Sequence, residues 1–212
     1  IFRLGGFSQW KRAQHTVWAF KQLLGIEIKV SCIFDRDYRS SAETEQFVAE
    51  MNASGVDCYV LERKEIENYL LVPEAISRAA NAKLKSKSSE SKLITPDAVQ
   101  LLLDKHCEGF ATDSSAQIST HVLRFDQSQG SHHSPSTIIS KALKDFETTW
   151  KTAEGRARIC PGKDVLRETL KSISENYGVS LSVYSIANQL KVDEIDSELS
   201  DMLFAIDKFL EN

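Results

Sequence analysis

Residues 31–40 read SCIFDRDYRS, and the reading of that stretch decides the fold. It closes the segment IKVSCIFD, almost continuously apolar, as expected of a strand covered on both faces. The strand ends in Asp35, Arg36 and Asp37. Working outward, SSAETEQFVAEMNASG follows as a helix, with a Ser-x-x-Glu start at Ser40 or Ser41 and a stop at Gly55. VDCYVLER then reads as the next strand. On the other side, SQWKRAQHTVWAFKQLLG places Trp10, Ala13, Val17, Phe20 and Leu24 at helical spacing, between a Ser8 cap and a Gly25 stop. IFRLGG before it reads as a strand ending in a Gly-Gly turn. Strand, helix, strand, helix, strand with short connections predicts right-handed parallel crossovers.

The pattern changes at Pro73. PEAISRAANAKLK predicts one helix, TPDAVQLLLDKHCEGFATDSSAQISTHVLRFDQ one or two more, and PSTIISKALKDFETTWKTAEG another, with Pro135 near its start. SKSSESK (86–92) and QSQGSHHS (127–134) read as loops. ARICPGKDV predicts a short strand broken at Pro161-Gly162, and KDVLRETLKSISENYG a helix ending at Gly178. VDEIDSELSDMLFAIDKFLEN predicts an amphipathic helix with Leu199, Met202, Leu203, Ile206 and Leu210 on one face. The expected architecture is therefore an α/β domain: a parallel sheet flanked by helices, with a helical insertion between the third and fourth strands.

Composition limits the function classes. Of 212 residues, 42% are hydrophobic and 26% charged, with a net charge of −4 and a pI near 5.8. That argues against a general nucleic-acid-coating protein and leaves room for a local phosphate-binding face. There is no apolar run of about 18 residues and no visible signal peptide. A chain that opens on IFRLGGF without a Met is expected to be a piece of something longer. Cys32, Cys58, Cys107 and Cys160 form no CxxC and meet no His pair at zinc-finger spacing. They read as buried free thiols in a reducing cytoplasm.

In a parallel α/β sheet, ligands bind beyond the carboxyl ends of the strands. In extended backbone, residues two apart share a side, so Asp35 and Asp37 could converge while Arg36 points away. Their mutual repulsion is relieved by a bridging divalent cation, and carboxylate oxygens suit Mg²⁺ or Mn²⁺. The alternative is that Asp35 caps the next helix and Asp37 pairs with Arg36 or Arg39. The third strand runs into Glu62, Glu65 and Glu67. If residues 65–67 are extended, Glu65 and Glu67 share a side. If they are helical, the two lie about 200° apart and Glu65 stacks with Tyr69. A solvated helix start favoured by the helix dipole is the competing reading. Lys163 in CPGKD opens a helix beside N–H groups that attract anions. A nucleotide P-loop is rejected: the Gly155-to-Gly162 spacing is wrong, and Asp164 stands where Ser or Thr is needed.

The series IFDRDYRS, LERKEIENYLL and PGKDVL resembles the Toprim domain of the OLD-family (overcoming lysogenization defect) ATP-dependent endonucleases. The resemblance spans roughly residues 1–75 and 155–190, and EIENYLL close after DRDYRS favours the OLD branch. It implies a Toprim core over 1–72 and 155–190, a helical insertion over 73–154 and a C-terminal helix over 191–212. It also implies a metal-dependent DNA endonuclease with two Mg²⁺ or Mn²⁺ ions, downstream of an ABC-type ATPase that brings ATP and a route to oligomers. Asp35 and Asp37 then match the family's aspartate pair, Glu65 and Glu67 its second acidic pair, and Lys163 its basic residue. The carboxylates would hold metal, and Lys163 would offset charge at the scissile phosphate. The family's first motif, a Glu followed by Gly, falls upstream of IFRLGG, and Gly5 and Gly6 match its next turn.

Other residues read as structural. His132 and His133 lie in a Ser-rich loop and are expected to be exposed. His15, His106 and His121 fall on predicted helices. Lys83, Lys85, Lys87 and Lys92 read as a solvated loop, with phosphate contacts as the alternative. Trp10, Trp18 and Trp150 read as packing residues. The competing function is a nucleic-acid-binding or assembly module with an incomplete or inactive Toprim site. A topoisomerase fragment would need a tyrosine on a separate domain, and Tyr38, Tyr59, Tyr69, Tyr177 and Tyr184 are all local.

Overall fold

Two of the predicted strands form. In the computed structural model, which describes residues 6–87 and 92–211, β1 (Val30–Phe34) and β2 (Val56–Val60) pair in parallel, Val30 opposite Val56 and Phe34 opposite Val60. The crossover between them is α2 (Ser41–Ala53). Ser40 caps it by accepting the Glu43 N–H at 3.2 Å. Gly55 turns the chain at φ 81°, a left-handed conformation that glycine adopts without cost. One face of the pair packs Cys32, Phe34, Val56 and Cys58 against Phe47 and Met51 of α2 and Ala13 of α1 (Lys11–Leu24). Phe7, Phe34 and Phe47 sit 4.4–5.3 Å apart by ring centroid, tilted or edge-on as aromatic quadrupoles favour. The opposite face leaves Ile33 45% exposed, so this pair is not covered on both sides.

The other described elements are all helical, and helix makes up 71% of the described residues. Next come α3 (Pro73–Lys87), α4 (Pro96–Gly109), α5 (Ala111–Ser128) and α6 (Pro135–Trp150). After them run α7 (Ala153–Ile159), α8 (Gly162–Tyr177), α9 (Val183–Ala187) and α10 (Ser197–Glu211). Ile76 and Ala80 of α3, Val99 and Leu103 of α4, and Val165 and Ile173 of α8 belong to one core. Segments 73–154 and 155–190 are thus fused by packing. Fully burying each such side chain contributes about 1.5–3 kcal/mol. A third cluster, Leu61, Tyr69 and Met202 with Leu199 and Ile206, docks α10. Leu203 and Leu210 of its expected apolar face stay exposed.

Several expectations are corrected. ARICPGKDV is not a strand: Thr152 caps α7 through the Gly155 N–H at 3.0 Å, and α7 ends at the Cys160-Pro161 turn before α8. A strand needs a partner to satisfy its backbone, and here the segment satisfies itself as helix. Among the described residues the sheet is two-stranded, so no insertion between a third and a fourth strand is seen. The long 95–127 segment splits at Gly109-Phe110, and α6 stops before Thr152. The first helix starts at Lys11 rather than after Ser8, and Trp18 on it is 60% exposed. Lys83, Lys85 and Lys87 lie on α3, where Lys83 and Lys87 donate to the carbonyls of Ser180 and Gly178. Cationic donors at the end of α8 satisfy carbonyls left open there. The predicted strand over IFRLGG and the Gly5 turn fall on residues 1–5, outside the described residues, as does most of the 86–92 loop.

One buried amide joins the sheet side to the helical side. Asn68 is fully buried within the 3₁₀ turn Ile66–Leu70. Its Nδ2 donates to Ala157 O at 2.8 Å and Cys160 O at 2.9 Å, and its Oδ1 accepts the Glu65 N–H at 2.9 Å. Gly162 packs directly on it: a Cβ there would stand 2.3 Å from Asn68 Oδ1. Gly162→Ala is therefore expected to lower stability by about 1–3 kcal/mol through overpacking. Asn68→Ala should cost about 3 kcal/mol by orphaning two carbonyls and one N–H. Urea unfolding monitored by circular dichroism checks both; wild-type midpoints would remove Asn68 as the joint.

Candidate active site

The strand ends bring the acidic residues into one neighbourhood. Asp35 follows β1 directly, and its Oδ1 accepts the Ile66 N–H at 3.0 Å. It therefore caps a helical turn, but one reached through β2 rather than the helix next in sequence. Asp37 adopts φ 52°. Its N–H donates to Lys64 O at 2.9 Å, which ties the two strand ends together. Because Asp37 is left-handed, the two-residue alternation of extended backbone does not carry over from Asp35. Its Oδ2 accepts from Arg39 Nη1 at 2.9 Å. Arg39 also pairs with Glu43 at 3.3 Å and lies 3.7 Å from the Phe7 ring centroid. Arg36 turns away, donating to Arg39 O, Ser41 Oγ and Glu62 O.

Glu65 and Glu67 straddle a change of backbone. Glu65 is extended, at φ −140° and ψ 159°, and Glu67 already lies in the 3₁₀ turn. Both Glu65 oxygens are engaged: Oε1 accepts from Lys64 Nζ, and Oε2 accepts the Lys163 N–H at 2.9 Å. Glu67 has no hydrogen bond or ion pair among the described residues and faces Asp35 electrostatically. Glu62 belongs elsewhere, in an ion pair with Arg158. Tyr69 does not stack on Glu65; its hydroxyl bonds Glu198. Lys163 is exposed at the start of α8, and its ammonium has no partner among the described residues.

Lys64 was not singled out by sequence. It is 7% exposed, and its Nζ lies 4.7 Å from the Tyr38 ring centroid. Burial works against its charge, but the hydrogen bond and charge of Glu65, with Tyr38 and Asp37, outweigh this and raise its pKa. No periodicity in LERKEIEN marks a lysine for burial; only the surplus of neighbouring acids hints at it. The Asp35 carboxyl is also pushed above the ordinary carboxylate range. Burial is the first cause, and the charges of Glu67, Asp37 and Glu65 add to it against the Ile66 hydrogen bond.

The site thus holds compensated acids, Asp37 with Arg39 and Glu65 with Lys64, beside uncompensated ones, Asp35 and Glu67. Donor type and charge fit a hard divalent cation. Convergence does not yet: among the described residues no three His, Cys, Asp or Glu side chains meet at ion-holding distance. Among the same residues no helix is long and apolar enough to cross a membrane.

Because the folded pKa of Asp35 is raised, its ionisation opposes folding at neutral pH, and the penalty fades as pH falls through that pKa. Asp35→Asn, which keeps an acceptor for Ile66, should therefore be more stable than wild type at pH 7. The gain should be below about 1 kcal/mol for a solvent-screened group and should shrink toward zero below about pH 4. Urea midpoints of both proteins across that range are the check; a destabilised variant at pH 7 would contradict the charge assignment. Compared with family models, curated proteins and solved structures, the chain finds no match in any of the three, so a functional reading rests on its own residues and geometry.

Proposed function

We propose that this chain is the Toprim-type nuclease region of a larger ATPase-nuclease, hydrolysing phosphodiester bonds in DNA with Mg²⁺ or Mn²⁺. The carrying observation is the joining of the two acidic strand ends: Asp35 Oδ1 accepts the Ile66 N–H at 3.0 Å, and the Asp37 N–H donates to Lys64 O at 2.9 Å, which brings Asp35 and Asp37 beside Glu65 and Glu67. Such a concentration of like charge opposes folding and is relieved by a cation. Asp35 and Glu67, the acids without a cationic partner among the described residues, would be the ones to hold a metal, and such an ion would supply charge stabilisation for attack of water on phosphorus. Glu65, with both oxygens engaged, orients the entry to α8. That leaves the Lys163 ammonium open to solvent, where it would offset negative charge on the phosphate as the leaving oxygen departs. The Toprim reading of the fold rests on the parallel β1–β2 pair with acids at both strand ends. On this reading the protein works in the cytoplasm, beside DNA and ATP, with the ATPase driving any oligomer.

A second reading has its own support. The Asp37–Arg39 and Glu65–Lys64 pairs already balance half of the acids, as in a binding or assembly module whose site is inactive. Nicking of supercoiled plasmid by the full-length chain carrying this sequence separates the two. Cleavage in Mn²⁺ is expected, with a loss of at least about 100-fold in Asp35→Asn, since removing one charge-stabilising group costs that much. DNA binding without cleavage by the folded wild type would favour the module.

Lys163→Ala gives a finer test. A group acting in the transition state should lower the saturated single-turnover rate about 100-fold while leaving DNA affinity in Ca²⁺ nearly unchanged. Lower affinity with a weaker salt dependence and an intact rate would instead make Lys163 a DNA-positioning residue.

A further inference from the structure

We propose that α10 is a releasable latch on the turn after β2, and that Glu198 is the positioning residue through which it holds the acidic strand ends in register. The latch stands on hydrogen-bond geometry alone; its control of cleavage rests on the nuclease reading.

The β1–β2 ladder ends at Leu61, whose N–H donates to Phe34 O at 3.0 Å. The next two N–H groups are held from α10. Glu62 N–H donates to Glu198 Oε1 at 2.7 Å. Arg63 N–H donates to the Tyr69 hydroxyl at 3.3 Å, and that hydroxyl donates to the other Glu198 oxygen. One carboxylate thus fixes two consecutive backbone groups, with hydrogen bonds strengthened by its charge. The residues that follow make the bonds joining the strand ends: Lys64 O accepts the Asp37 N–H at 2.9 Å, and the Ile66 N–H reaches Asp35 at 3.0 Å. Asp196 adds a second attachment. Its Oδ1 accepts the Glu198 N–H at 3.0 Å, and its Oδ2 accepts from Arg63 Nη2 at 2.9 Å. Arg63 Nη1 in turn donates to Asn68 O at 3.2 Å.

The apolar part of this docking is thin. Among the described residues of α10, Met202 is the buried apolar side chain, and Leu199 and Ile206 are half-buried. Phe204 and Leu210 are exposed. A cavity of about 610 Å³ lies under the first turns of α10, lined by Tyr59, Glu62, Arg158, Asp196, Glu198 and Met202 among others. A polar space of that size admits water to the same contact. Few buried apolar contacts and water beside the hydrogen bonds mark a segment that opens without global unfolding. Opening α10 releases Glu62 and Arg63 with it, while α4 stays packed through Val99 and Leu103 in the larger core.

Hydrogen exchange of the full chain, resolved to single residues by mass spectrometry, tests the latch. In wild type, Glu62 and Arg63 should share the protection of residues 201–204 and lie at least about tenfold below Leu103. Glu198→Ala should lower protection of Glu62 and Arg63 at least about tenfold and leave Leu103 unchanged. Glu198→Gln, which keeps an acceptor for Glu62, should restore most of it. Tyr69→Phe should lower Arg63 and spare Glu62. Wild-type Glu62 as protected as Leu103, no change in Glu198→Ala, or an equal loss at Leu103 would each overturn the latch. The wild-type and Tyr69→Phe measurements decide even where Glu198→Ala does not fold. Plasmid nicking in Mn²⁺ then reads the coupling: Glu198→Ala should be at least about tenfold slower, since small misplacements of a site cost that much, and Glu198→Gln should recover the rate. An unchanged rate in Glu198→Ala would overturn control of the site. No nicking by wild type would overturn the nuclease reading and leave the exchange result to judge the latch.

Discussion

The hydrogen bonds of Asn68 are the constraint on which the rest of the arrangement depends. One side chain accepts from Glu65 N–H and donates to two carbonyls near the end of α7. It thereby fixes the turn after β2 against the turn before α8. Lys64 N–H reaches Arg158 O across the same joint. A fully buried amide is tolerated only when its donors and acceptor are satisfied, and then it specifies one arrangement strongly. Gly162 is the complement, because any side chain there would occupy the space of the Asn68 amide. The joint places Glu65 between Lys64 and the Lys163 N–H, and so sets where the acidic cluster meets the start of α8.

Charge on the two sides of the strand-end cluster is handled differently. Asp37 and Glu65 are neutralised by side chains from their own loops. Both pairs are partly shielded from water, so removing one partner would leave a poorly solvated charge. Asp35 has only a backbone N–H, and Glu67 has no partner among the described residues. Stability alone would favour neutral residues at those positions.

Packing divides the molecule along a different line from the chain order. The small core of β1, β2, α1 and α2 is rich in aromatic contacts. The larger core runs continuously from α3 and α4 to α8 and α9. The site lies where these cores meet, close to Cys160.

The local signals in the sequence determined much of the fold. Ser40 and Gly55 bracket α2, Gly178 ends α8 in a left-handed turn, and the apolar runs at 30–34 and 56–60 are strands. Caps, left-handed stops and apolar runs act within a few residues, so one sequence shows them. The acids at the strand ends were legible for the same reason, and the four buried thiols followed from their apolar settings. Tertiary structure decided the rest. Whether 157–165 is strand or helix depends on a neighbour for its backbone, which no local pattern reports. Lys64 is buried, Trp18 is exposed and Glu65 is engaged on both oxygens because of segments far away in the chain. Burial and charge pairing are properties of surroundings, and for these residues the surroundings exist only once α7 and α8 have packed against the turn after β2.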